Sequence, residues 1–146
     1  MQLKLLDKSN FNEMKNLFRS VFMSPPWCDD WSDDEQLTEY LLDLMDVRTP
    51  LVYGLYDRDE LVGVSIGNVR HWFGGTEYHV EEFFIKTDRQ HSGLGTEFFS
   101  LIENAVKEKG ITNIFLMTEH DKPAFGFYKK QGFKEIEKLV SLIKEL

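Results

Sequence analysis

The chain has 146 residues, 42% hydrophobic and 29% charged, the size and balance of one soluble domain with its own core. No apolar run approaches the roughly 20 residues of a membrane span, and the first residues lack the apolar core of a signal peptide. A lone cysteine, Cys28, excludes an internal disulfide and a cysteine-based zinc site, so a cytoplasmic domain covering residues 1–146 is expected, without a metal.

The net charge of −8 has one source. Eight of the 25 acids (Asp29, Asp30, Asp33, Asp34, Glu35, Glu39, Asp43 and Asp46) fall within residues 28–46, which hold no Lys or Arg, leaving 17 acids to balance 17 bases. Nucleic acid is a poor partner for such a chain, because affinity for it rests on clustered positive charge. The acidic stretch reads in one of two ways. It either concentrates a small cation in a cleft, or it is the solvated, acid-rich start of a helix.

In chain order, Leu3–Asp7 reads as a first strand. Phe11, Met14, Leu17, Phe18, Val21 and Phe22 then recur at helical spacing, with Asn10 and Glu13 as a capping box. Pro25 and Pro26 force a loop. Ser32 and Glu35 suggest a second capping box, opening a helix that buries Leu37, Leu41, Leu44 and Met45. Three strands follow as a meander, turning at Asp57–Asp59 and at Phe73–Thr76. The next helix buries Leu94, Phe98, Leu101, Ile102, Ala105 and Val106 and stops at Gly110. A buried strand (Asn113–Glu119), a short helix (Lys122–Gln131) and a final strand (Phe133–Ile143) complete the chain. The order β-α-α-β-β-β-α-β-α-β describes one α/β domain with a mixed sheet.

Between the third meander strand and its helix stands Arg89-Gln90-His91-Ser92-Gly93-Leu94-Gly95-Thr96. A Walker-type loop would need a Gly-Lys-Ser/Thr ending, and a dinucleotide loop a third glycine where Phe98 stands. What remains is Gln90-x-x-Gly93-x-Gly95 opening a helix, which fits a pyrophosphate on backbone amides or a plain structural turn.

This loop, followed by a long helix, a strand and Phe127-Tyr128-Lys129-Lys130-Gln131-Gly132-Phe133, resembles the GNAT superfamily of acetyl-CoA-dependent N-acetyltransferases. Val80-Glu81-Glu82-Phe83-Phe84-Ile85 is similar to the string that precedes the loop in the diamine and polyamine branch. The resemblance covers residues 77–134 and implies a GNAT-like fold, a single domain with a mostly antiparallel sheet flanked by helices. It implies acetyl-CoA as co-substrate, with Gln90 (where Arg is more usual), His91, Ser92, Gly93, Leu94, Gly95 and Thr96 around the pyrophosphate. The backbone of Phe83, Phe84 and Ile85 would lie along the pantetheine arm, near Asp121, which stands where the family often has Asn. A possible homodimer involving the last strand is implied by the same analogy.

Acetyl transfer to an amine requires a neutral nucleophile, donors for the tetrahedral oxygen and a proton for the leaving thiolate. Glu81 is the first candidate base, since it matches the acidic position of the polyamine branch, and His79 on the same strand face is a second. Glu82 faces the other way in a regular strand, and a bulge would exchange the exposure of the two carboxylates. Tyr128 is the candidate acid for the thiolate. Trp27, Asp29, Asp30, Trp31 and Glu82 form the expected acceptor side, with Asp33, Asp34 and Tyr40 beside them, suited to a polyamine or aminoglycoside through carboxylates and aromatic faces. A peptide amine as acceptor, or an acyl-CoA-binding module without catalysis, are the alternatives.

Overall fold

A computed structural model describes residues 1–146. Its strands β1 (Gln2–Leu5), β2 (Pro50–Asp57), β3 (Glu60–Trp72), β4 (Gly75–Ile85) and β5 (Asn113–Leu116) lie side by side in chain order. Neighbours from β1 to β4 are antiparallel, and β4 and β5 are parallel. The parallel pair needs a crossover, which α3 (Leu94–Glu108) supplies. α1 (Phe11–Phe22) and α2 (Asp34–Met45) fill the connection between β1 and β2, and α4 (Pro123–Lys130) follows β5.

The sheet is buried on both faces. α1 and α2 place Met14, Phe18, Leu37 and Leu41 against Val52, Val64, Ile66 and Phe84. On the opposite face α3 places Phe98, Ile102 and Val106 against Tyr53, Leu55, Val62, Tyr78 and Ile85. Each such fully buried side chain stabilises the fold by roughly 1.5–3 kcal/mol. The helical stripes read from spacing face the core, with Phe11, Leu44, Leu101 and Ala105 only half-buried at their margins and Phe99 added on α3.

Three local expectations change. The capping box at the first helix lies one turn earlier, at Asp7 and Asn10 around a 3₁₀ turn, and Asn10 donates its side-chain amide to Glu13 instead of capping α1. α2 is capped by Asp33, which accepts from Gln36 N at 3.1 Å, one residue beyond Ser32. The final strand does not form: after α4 the chain joins no ladder and turns again where Leu139 N bonds Ile136 O at 3.1 Å. It passes residues 117–120 with Glu135 bonded to His120 at 2.6 Å and Ser141 against Met117 Sδ at 3.7 Å. Leu139, Val140, Leu142 and Ile143 are all exposed, because adjacent apolar pairs put apolar side chains on both faces and only one edge neighbour is present.

One irregularity shapes the functional end of the sheet. Ile66 pairs with Glu82 but the next residue, Gly67, pairs with Val80, so Glu81 is an unpaired bulge residue on β4. A side chain at Gly67 would put its Cβ 2.3 Å from His79 O, so the bulge closes only over glycine. An extra residue inverts the alternation of all that follows. Before the bulge Tyr78 and Val80 face α3, and after it Phe83 and Ile85 do, which turns Glu82 and Phe84 toward α1 and α2.

Candidate active site

Glu82 is the carboxylate this geometry turns inward. Its side chain is partly buried and accepts a hydrogen bond from Tyr40 Oη of α2 at 2.5 Å. Burial pushes its pKa up to about 7, with the charges of Glu81 and Asp29 adding to the rise and the Tyr40 bond opposing it. Glu81 stands exposed on the bulge with Arg70 at 3.9 Å. His79 is held by Glu77 at 2.9 Å and lies against the Phe115 ring at 4.6 Å, so its imidazole is engaged away from the cleft.

The loop between α1 and α2 walls the cleft with aromatic rings. Trp31 stacks on Tyr40 at 5.2 Å and 22° and meets Phe18 edge-on, while Trp27 packs on Phe22. Lys122, at the start of α4, lies 5.7 Å over the Trp27 ring and joins the two sides of the opening. The acids divide by role. Asp34 binds Lys15 and Arg19 at 2.7 and 2.6 Å, Asp33 caps α2, and Asp30 accepts from Ser32 N at 3.1 Å. Asp29 is exposed, has no such duty and acts electrostatically on Glu82.

Tyr128 lies on α4 within a cluster of Phe83, Phe99, Phe127 and Phe133 at 5.4–6.4 Å. The residue is 8% exposed. Trp31 Nε1 and Tyr53 Oη are the sealed side-chain polar atoms without a partner, so the Tyr128 hydroxyl, which has no protein bond, borders open space. Burial raises its pKa, and the nearby Glu82 charge raises it further.

Below this point the sheet opens. β4 and β5 pair only from Glu77 to Val80, so the edge of Phe83, Phe84 and Ile85 facing β5 carries no ladder. The glycine loop stands at the end of that gap. Gly93 adopts φ +82°, a conformation that favours glycine, and starts α3 with no side-chain cap. The first bond into the helix runs from Glu97 N to Gly93 O at 3.1 Å, which leaves the amides of Leu94, Gly95 and Thr96 free. Gly95 lies under the Phe127 ring, where a Cβ would sit 3.2 Å from Cε2. Gln90 turns inward to Ile85 O at 2.9 Å, Ser92 bonds Arg89 O at 2.6 Å, and Thr96 accepts from Gln131 at 3.0 Å. His91 and Asp121 are exposed.

The model of the acetyltransferase (GNAT) family matches residues 11–133. The chain belongs to that family. Among solved structures, the fold of this acetyltransferase is similar to that of an aminoglycoside acetyltransferase from an uncultured soil metagenomic sample, in complex with sisomicin. The TM-score is 0.75 at 18% identity, over 99% of this chain and 95% of the other. An integron cassette protein from the mobile metagenome of V. cholerae superposes at TM-score 0.79 and 15% identity, over 99% and 91%. The aminoglycoside acetyltransferase AAC(6')-Iy, in complex with a bisubstrate analogue of coenzyme A and acetylneamine, gives 0.72 and 14%, over 99% and 98%.

Two features of the acetyltransferase site escape a reading of spacing alone. Tyr40 is legible only as an aromatic face for a cation, and its bond to Glu82, 42 residues away, is not. The bulge leaves one mark in the sequence, Gly67 inside the apolar run of β3, since a strand-interior glycine often marks a close backbone approach.

Proposed function

We propose that this acetyltransferase moves the acetyl group of acetyl-CoA to a primary amine of a small cationic acceptor, both substrates being held together. The observation that carries this reading is the meeting of Glu82, Tyr40 and Tyr128 where β4 and β5 part. The uncapped amides of α3 and the glycine at φ +82° fit a pyrophosphate, and the open edge of Phe83–Ile85 fits an extended pantetheine arm. On the other side Asp29, Glu82, Trp27 and Trp31 offer negative charge and aromatic faces to a cation.

Glu82 takes a proton from the incoming ammonium, and a carboxylate of pKa about 7 suits that task near neutral pH. A β4 backbone amide meets the developing oxyanion. Tyr128 donates to the departing thiolate and recovers a proton from the acylated nitrogen through solvent. Glu82 is by then neutral, so the charge that held the Tyr128 proton in place is gone.

Thiol release from acetyl-CoA across a panel of amines tests the proposal. Polyamines and aminoglycosides are expected to react faster than neutral amines, acidic amines or peptides. Preference for a neutral or acidic amine refutes the acceptor class. Thermal stabilisation by coenzyme A with no thiol release from any amine supports a binding module instead.

The open β5 edge and the exposed apolar C-terminal segment, which joins no ladder, support a homodimer by strand pairing. A second copy offers both halves of the contact, so the exchange closes as a two-fold pair. Residues 134–146 carry three bases and three acids, which gives two chains of net charge −8 a neutral surface on which to meet. Light scattering is expected to give a dimer for the wild type and a monomer for the double substitution Val140→Asp, Leu142→Asp. A monomeric wild type at micromolar concentration overturns this.

A further inference from the structure

We propose that Tyr40 is a positioning residue for the proton-accepting carboxylate: held by its stack on Trp31, its hydroxyl fixes the direction of Glu82 and sets the pH range in which that carboxylate works. The inference rests on the reading of Glu82 as the base. Three observations meet here. The Tyr40 Oη to Glu82 Oε1 distance of 2.5 Å is that of a charge-assisted bond, which only the ionised carboxylate makes in full. The Tyr40 ring is clamped between Trp31 at 5.2 Å and Phe18 at 6.0 Å, so the hydroxyl has little freedom to leave. Trp31 lies within 22° of parallel to the Tyr40 ring with its indole Nε1 sealed from solvent, so the stack is buried packing and not a surface contact.

The surroundings give the bond a clear sign. Glu82 faces Tyr40 from α2, Asp29 from the loop after α1, Glu81 on its own strand and Tyr128 from α4, and α1 presents only the apolar Phe18 and Phe22. Burial, Glu81 and Asp29 all favour the protonated acid, and the Tyr40 hydrogen bond is the one contact that favours the carboxylate. Without it Glu82 would hold its proton to higher pH and would no longer be aimed into the cleft. Tyr40 itself stays protonated across the working range, because burial and the adjacent Glu82 raise its pKa far above neutrality.

The test is the pH profile of kcat/KM for wild type, Tyr40→Phe and Glu82→Gln, with acetyl-CoA and one polyamine. The acceptor's own titration is common to all three, so a shift belongs to the protein. Tyr40→Phe keeps the ring and its stack, and its acid limb is expected to move alkaline by about one pH unit, with most activity regained above the new limb. Trp31→Leu, which keeps the hydroxyl but frees it, is expected to shift the limb in the same direction by less. An unmoved limb with a lowered plateau makes Tyr40 a packing residue and overturns the inference. Retention of the wild-type limb in Glu82→Gln overturns the assignment of the base instead, a different failure that the same data distinguish.

Discussion

Glu82→Gln is expected to lower kcat about 10²–10⁴-fold, the range for removal of a general base, while Glu81→Gln stays close to wild type. The contrast follows from one residue of strand geometry. In a regular strand the two carboxylates would occupy opposite faces, and Glu81 would share the face of His79. Because the bulge absorbs Glu81, the carboxylate that reaches Tyr40 is Glu82, and Glu81 remains in solvent beside Arg70. Glutamine preserves an oxygen for the Tyr40 hydroxyl and removes a buried charge, so the melting temperature is not expected to fall. Coenzyme A affinity should also be unchanged, since the α3 amides stand elsewhere. In the wild type, kcat/KM should rise with pH and level off above about 7, where Glu82 is ionised. A collapse of turnover in Glu81→Gln together with an active Glu82→Gln would reverse the assignment.

The pattern of legible and hidden features has a physical basis. Helix faces are set by local spacing, so Met14, Phe18, Leu37, Leu41, Phe98 and Ile102 were identifiable as core from the chain alone. The glycine loop was legible for a related reason, as its backbone conformation and its place before a helix are local properties. Glu82 was legible as one of two candidate carboxylates but its direction was not, because that depends on register with β3, a contact that no neighbouring residue encodes except through Gly67. The acidic segment shows the same limit from the charge side. Counting carboxylates over 28–46 treats them as equivalent, whereas folding assigns Asp33 to a cap, Asp30 to a turn and Asp34 to two α1 cations. Asp29 is the acid of that segment whose charge reaches Glu82, beside the charge of Glu81 on β4. The C-terminal segment alternates too weakly to choose a face, which leaves its register against an edge weakly specified.

Tyr128→Phe is expected to lose turnover about 10²–10³-fold with coenzyme A affinity retained. The ring is anchored by Phe83, Phe99, Phe127 and Phe133, and phenylalanine fills the same space, so the cluster that supports the glycine loop through Phe127 survives. What disappears is one hydroxyl that no protein group bonds and that borders the gap between β4 and β5. That hydroxyl is not sealed, unlike Tyr53 Oη, so a group arriving with substrate can reach it. Its raised pKa fits a donor that must not lose its proton early: the ionised Glu82 holds the proton on Tyr128 until the amine has been deprotonated. The two groups therefore act in sequence, and their mutations should separate by pH. Glu82→Gln removes the acid limb of the profile, whereas the residual activity of Tyr128→Phe should keep it, because the base is intact. Leaving-group chemistry provides the sharper discriminator. If Tyr128 protonates the thiolate, an acetyl donor with a more acidic thiol needs that proton less and should recover part of the lost rate. Wild-type kcat in Tyr128→Phe, or a loss independent of the leaving thiol, would remove the residue from the chemistry and leave it as packing.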